Sequence, residues 1–222
     1  MTEYVHTMVL GRMMLCEVVK PKPPRELPIL MSGPMVRAIL ARRKRMTRRL
    51  AWAPCKVCGG KGGTCKGPHK PSIWTKARVG DTMWVREMFG YVGSCDPGFL
   101  LFGATWQEDA KRYGCENIPD KRPPMKPGIH MPRSICRLTL PLLAVRTEPL
   151  HAITDEDAMA EGIMRDDDGL FHWLPKEPSP YVALAYKTPR AAFQGLWESL
   201  HGRESWASNP KVVALSFDPL VN

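Results

Sequence analysis

The stretch Ser32-Gly-Pro-Met-Val-Arg-Ala-Ile-Leu-Ala-Arg-Arg-Lys-Arg-Met-Thr-Arg-Arg49 limits what this chain can fold into more than any other. Its first half reads as a helix start, with Ser32 or Gly33 at the cap and Pro34 suited to the first turn by its fixed φ and missing N–H. Met35 with Ile39, and Val36 with Leu40, repeat at four-residue spacing, so one face of that helix is apolar. After Leu40 the apolar pattern stops. Seven of the thirteen residues from Arg37 to Arg49 are basic and none is acidic. A block of this kind repels itself unless anions are near, so it reads as a phosphate-binding surface or, more plainly, as a solvated face. Within it, Lys44 and Thr47 are three apart and could share a face of a helical turn. A lysine beside a threonine can also be a base-activated nucleophile, because a hydroxyl is weak until something takes its proton.

Charge is unevenly spread. The net charge is +10, and residues 37–49 supply +7 of it, which leaves +3 for the rest of the chain. That asymmetry points to a polyanionic partner at one locus. Nucleic acid or a nucleotide fits better than a membrane, since no amphipathic helix with aromatic anchors lies beside the charge. No apolar run approaches the ~20 residues of a membrane span. The start, Met1 to His6, has neither the basic residues nor the apolar block of a secretion signal, so a cytoplasmic location is expected. At 222 residues the chain is long enough for one substantial domain with a real core, and its 22 prolines and 18 glycines predict much irregular structure.

Taken in order, residues 1–24 end in a Pro-rich run and read as a loosely attached arm, with the domain proper spanning 25–222. Pro28 to Met31 suits a buried strand. The insertion at 52–76 carries Cys55, Cys58, Cys65 and His69, spaced as Cys-x2-Cys, six residues, Cys, three residues, His. Two cysteines separated by two residues make the tight turn that presents both sulfurs to one zinc, and four protein ligands would leave no open position, so a structural zinc is expected. The plainer alternative is a flexible Gly-rich loop with free thiols. Seven cysteines, an odd number, argue against a disulfide framework.

Gly80 to Glu87 reads as a turn and a two-faced strand, Met83 and Val85 against Trp84 and Arg86. Glu87 could be a functional carboxylate, although pairing with a nearby arginine is the commoner fate. Residues 90–128 read as a long irregular excursion. Residues 129–148 enter one or two strands, with Leu143 and Val145 continuing the apolar side and His130 and Arg133 at the strand mouth. Thr154 caps a short helix with Asp157 as its capping-box partner, and Gly162 ends it. Glu161 then sits at the wrong end of the helix dipole, so it is either solvated or held by a cation, for which Lys44 is a candidate. Phe193, Leu196, Trp197 and Leu200 share one face of an amphipathic helix, and Val212 to Phe217 is a closing strand.

Four pieces in this order, namely Pro28 to Arg49, Gly80 to Glu87, Ile129 to Arg137 with the strand after it, and Thr154 to Gly162 with the Leu196 region and closing strand, resemble the ASCH branch of the PUA-like superfamily. The likeness is to the longer form common in phages and prophages. It implies an α+β fold, a small PUA-like β-barrel with flanking helices, here with the zinc-binding loop inserted. The family segment Gly-x-Lys-x-x-(Glu/Thr)-x-Arg falls on Lys44, Thr47 and Arg49, with Arg42 at the glycine position. Small bacterial members remove the acetyl group from N(4)-acetylcytidine with a Lys, a Thr and a Glu, which the resemblance places at Lys44, Thr47 and Glu161. Arg42, Arg45, Arg48, Arg49, Trp84, Glu87, His130 and Arg133 are the corresponding candidates for binding substrate or nucleic acid. The alternatives are a non-catalytic RNA- or DNA-binding module, and a phage structural or regulatory protein that keeps the fold without the chemistry.

Overall fold

Leu138–Pro149, a twelve-residue strand, organises the architecture because it is long enough to hold different partners along its two halves. The computed structural model describes residues 3–9, 12–18, 23–52, 70–93, 98–115, 118, 121–173 and 185–221. The first part of the chain forms β1 (Glu3–Val9), β2 (Arg12–Val18), β3 (Glu26–Leu30), α1 (Gly33–Leu40), β4 (Met46–Leu50), β5 (Thr82–Arg86), β6 (Phe89–Val92), β7 (Phe99–Phe102) and α2 (Trp106–Arg112). After these come β8 (Leu138–Pro149), α3 (Asp155–Ala160), β9 (Met164–Arg165), β10 (Phe171–His172), α4 (Pro189–His201), α5 (Arg203–Ala207), β11 (Lys211–Phe217) and β12 (Leu220–Val221).

The main sheet runs β3-β5-β8-β11-β4, and β12 adds to β8 beyond the end of β11. It curls into a half-barrel with a few helices against it, an α+β arrangement. β3 and β5 are parallel, while β5, β11 and β12 all lie antiparallel to β8. The main core is Ile29, Met83, Val85, Leu138, Leu140 and Leu215 with Val36 and Ile39 of α1. This is the apolar face expected of that helix. A second core gathers Leu150, Ile163, Phe193 and Trp197 around α3 and α4. Among the described residues no helix is long and apolar enough to cross a membrane.

Several expectations change. Residues 90–128 are not an irregular excursion: β6 and β7 pair as a hairpin there, and α2 follows. The glycine and proline content hid two short strands whose apolar runs, Phe-Gly-Tyr-Val and Phe-Leu-Leu-Phe, are only four residues each. The first residues of the supposed arm form the β1–β2 hairpin. In β8 it is Leu142 that enters the core, whereas Leu143 is 60% exposed. Most consequentially, the helix of the basic stretch stops at Leu40, so Lys44 and Thr47 do not share a helical face. Lys44 lies in an extended link, and Thr47 lies in β4 opposite Leu215.

Asp81 fixes the start of the parallel β3–β5 pair. Its fully buried carboxylate accepts from the Arg25 backbone N–H at 2.9 Å, the Arg25 guanidinium at 2.6 Å and the Arg78 backbone N–H at 3.1 Å. Burial alone would raise this carboxyl, but the hydrogen bonds from Arg25 and Arg78 outweigh it and bring its pKa down to about 2. A carboxyl whose pKa is depressed on folding contributes stability above its unfolded value and loses it as pH falls through the folded value. Asp81→Asn should therefore destabilise the protein by about 2 kcal/mol at neutral pH. The gap between wild type and variant in urea midpoints should narrow as pH drops from about 5 towards 3. A gap that ignores pH would contradict this role.

Candidate active site

The link between α1 and β4 is held at both ends by backbone. The N–H groups of Arg43 and Lys44 donate to the Ala38 carbonyl of α1 at 2.9 and 3.0 Å, and the Arg45 N–H donates to Ala160 of α3 at 2.8 Å. The turn into this link requires Arg42 at φ +55°, a left-handed conformation that suits glycine better than arginine. With the link pinned, side chains alternate. Lys44 turns inward and is 1% exposed, while Arg43 and Arg45 on either side of it are exposed.

Lys44 meets Glu161. Its ammonium donates to the Glu161 carboxylate oxygen Oε2 at 2.6 Å and to the Glu161 backbone carbonyl at 2.8 Å. Glu161 closes α3, where Thr154 caps the other end by accepting from the Asp157 N–H. The cation expected at this unfavourable end of the helix is thus Lys44. The chain leaves α3 through Gly162 at φ +101°, and a Cβ there would stand 3.3 Å from the Lys44 Cβ. Glycine is needed twice over, for its conformation and for the lysine beside it.

Arg48 ties this pair to a wider network. Its fully buried guanidinium donates to Glu148 at 2.8 Å and to Asp157 at 2.5 Å, and it stands 3.5 Å from Glu161 Oε1. Asp157 also accepts from Arg146 at 2.7 Å, so its carboxylate serves arginines and does not complete a capping box. Arg49 donates to the Leu30 carbonyl at 2.9 Å. Among the described residues, Glu161 Oε1, Arg48 Nε and Arg49 Nε are buried without a hydrogen-bond partner. Orphaned polar atoms of this kind are uncommon in a folded interior and concentrate where a water or ligand belongs.

Burial pushes the Lys44 ammonium below the ordinary lysine range. Glu161 pulls it back up, and Arg49 and Arg48 add to the fall. The main cause is complete burial. A cavity of about 80 Å³ opens beside the pair, walled by Met35 and Ala38 of α1, Trp173, and Leu196 and Leu200 of α4. Leu200, 57% exposed, lies at this wall and not in the core, which explains the apolar residue at the end of the α4 stripe.

Thr47 is 4% exposed but is not among the residues lining that cavity. Its hydroxyl has no hydrogen bond among the described residues, and the alternation of β4 sets it with Arg49 on the face opposite Arg48. The remaining predicted residues divide. Arg42 and Arg45 are exposed, whereas Arg48 is buried against its acids and Arg49, half-buried on the other face of β4, donates to the Leu30 carbonyl. Glu87, 2% exposed, takes a two-pronged grip from Arg137 at 2.8 and 2.9 Å, the arginine pairing expected as its commoner fate. Burial pushes its carboxyl above the usual range against the pull of Arg137. The guanidinium carbons of Arg86 and Arg133 stand 5.4 and 5.9 Å from the centroid of the Trp84 ring, and Arg133 pairs with Glu26. His130 is exposed. Cys55, Cys58, Cys65 and His69 lie outside the described residues. Among the described residues no group of three or more His, Cys, Asp or Glu is placed to hold a metal.

Glu148 and Asp157 as partners of Arg48, and Arg146 as a second arginine on the same two acids, were not expected from the sequence. Their only signal was acid and base types on elements whose pairing was unknown. No family profile, no curated protein and no solved structure matches this chain.

Proposed function

We propose that this chain is an amide hydrolase of the ASCH type, built on a PUA-like barrel, that removes an acyl group from the N(4) amine of a cytidine-type nucleoside or nucleotide. The observation that carries the reading is the buried contact between Lys44 and Glu161, 117 residues apart in the chain, beside a small apolar-walled cavity. A lysine with a depressed pKa next to a carboxylate is a proton-transfer pair. The left-handed Arg42 also supports the reading, because it stands where the family carries glycine. The cavity suits an apolar part of the substrate beside Lys44 and Glu161; Thr47 does not line it, so in this reading the acyl carbon sits outside it, on the β4 side of the lysine.

In this mechanism the proton shared by the pair moves to Glu161, which leaves Lys44 a neutral amine. When substrate enters, Lys44 turns to Thr47 and takes its hydroxyl proton as Oγ1 bonds to the acyl carbon. The C–N bond then breaks, and Glu161 gives its proton to the departing exocyclic nitrogen. An ester remains on Thr47. Water, losing a proton to Glu161, attacks that ester, and Lys44 returns a proton to the Thr47 oxygen as the acid leaves. Positive charge from Arg49 stabilises the oxyanion.

A second reading, a nucleic-acid-binding module without chemistry, is favoured by one observation: Arg42, Arg43 and Arg45 all face outward on the link that carries Lys44. The two readings separate in one experiment. Purified protein given N(4)-acetylcytidine should yield cytidine, followed by absorbance. Thr47→Val and Glu161→Gln, chosen to keep side-chain volume, should each lower kcat by about 100-fold or more while circular dichroism stays native. No turnover, together with salt-sensitive RNA binding that Arg43→Ala and Arg45→Ala weaken, would leave only the binding module.

We also propose a structural zinc held by Cys55, Cys58, Cys65 and His69, because two thiolates separated by two residues, with a third thiolate and an imidazole, form a closed tetrahedral set. Metal analysis of protein purified without chelator should find about one zinc per chain, lost on replacing Cys55 and Cys58 with serine. Metal-free protein that folds normally would refute it.

A further inference from the structure

A second and larger cavity of about 380 Å³ is bounded by Leu40 at the end of α1, by α2 and β7, and by the segment before β8. Its size falls in the range of small-molecule sites. Leu100, Phe102 and Ile135 supply apolar wall, and Phe102 carries the Arg137 guanidinium 4.1 Å over its ring.

The charges around this cavity are sorted in a way that selects a ligand. Arg137 is committed. Its Nε and Nη2 donate to the two oxygens of Glu87, and its Nη1 donates to the Thr105 hydroxyl at 2.8 Å. Three of its five N–H donors are used in this way, and its charge is balanced by the two-pronged contact with Glu87. Asp109 is only half committed. Its Oδ2 accepts from the Phe102 N–H at 2.9 Å and from the Thr105 hydroxyl at 3.1 Å. Its Oδ1 has no hydrogen bond among the described residues and stands 3.8 Å from Arg137. The Asp109 side chain is 5% exposed, and it lines the cavity. Around the site three carboxylates (Glu87, Glu108 and Asp109) face two guanidiniums (Arg112 and Arg137). In a chain of net charge +10, this locality has acid to spare.

We propose that this cavity is a binding site for a small ligand with a flat apolar body and a cationic nitrogen donor. The ligand's ring lies against Leu100, Phe102 and Ile135, and its charged N–H group donates to Asp109 Oδ1. Asp109 Oδ1 lacks a hydrogen bond among the described residues and has only a loose ion pair with Arg137, so it can accept a charge-assisted hydrogen bond from the ligand. Nothing in this site overlaps the Lys44 pair, so it stands or falls apart from the hydrolase reading.

Three probes of nearly one shape test the idea: benzamidine, benzamide and benzoate, titrated into the full chain by protein NMR. Benzamidine should bind at least about tenfold more tightly than benzamide, and benzoate should bind more weakly still. Asp109→Asn should abolish the preference for the cation. Since Asp109 also braces the α2 turn, a second variant is needed: Ser134→Trp, at an exposed wall residue, should block all three probes without touching the charges. Equal affinity for benzamidine and benzoate would overturn the proposal. So would benzamidine binding unchanged in Ser134→Trp, or no saturable binding.

Discussion

The contact between Lys44 and Glu161 is what the neighbourhood of the site is arranged to hold. Two charges taken out of water cost several kcal/mol each, and their attraction offsets this only with close geometry and further hydrogen bonds. Both are present here, at 2.6 Å between the charged groups and 2.8 Å to the Glu161 carbonyl. Removing one partner of such a pair typically costs about 3–5 kcal/mol, because it strands the other charge in the interior. The surrounding elements are fixed accordingly. Backbone bonds to Ala38 and Ala160 clamp the link that carries the lysine, and Gly162 keeps the space beside it free.

The basic block splits into two populations with different work. Arg48 is buried and Arg49 half-buried on opposite faces of β4, and Glu148, Asp157 and the Leu30 carbonyl take their hydrogen bonds. Arg42, Arg43 and Arg45 stay in solvent. A run that looks like one polyanion-binding surface is therefore half interior scaffold. The self-repulsion of the block is met from within by acids of α3 and β8 as well as by whatever anion approaches from outside.

Much of this was legible in advance, and the parts that were not have physical reasons. Pro34 and the Met35–Ile39 spacing placed α1, Thr154 and Gly162 bounded α3, and Phe193 with Trp197 marked the buried face of α4. Even the Lys44–Glu161 meeting was foreseeable, since a carboxylate at a helix C-terminus calls for a cation. The path of Lys44 to Thr47 was not. Spacing of three suits a helix, and only the left-handed Arg42, invisible in an arginine codeword, ends α1 and lets β4 begin. The β6–β7 hairpin and α2 were missed because four-residue strands carry too little pattern to stand out from glycine and proline. The Asp109 cavity depends on those missed elements, so it could not have been read before them.

Nitrogen-15 NMR of the lysine side chains reads the central contact most directly. Lys44 should appear as a protected ammonium that titrates below the other lysines. Because Glu161 raises its pKa against the effect of burial, Glu161→Gln should move that titration lower still. A Lys44 that titrates with the exposed lysines, near the ordinary value of about 10.4, and that ignores the Glu161 substitution would contradict the account.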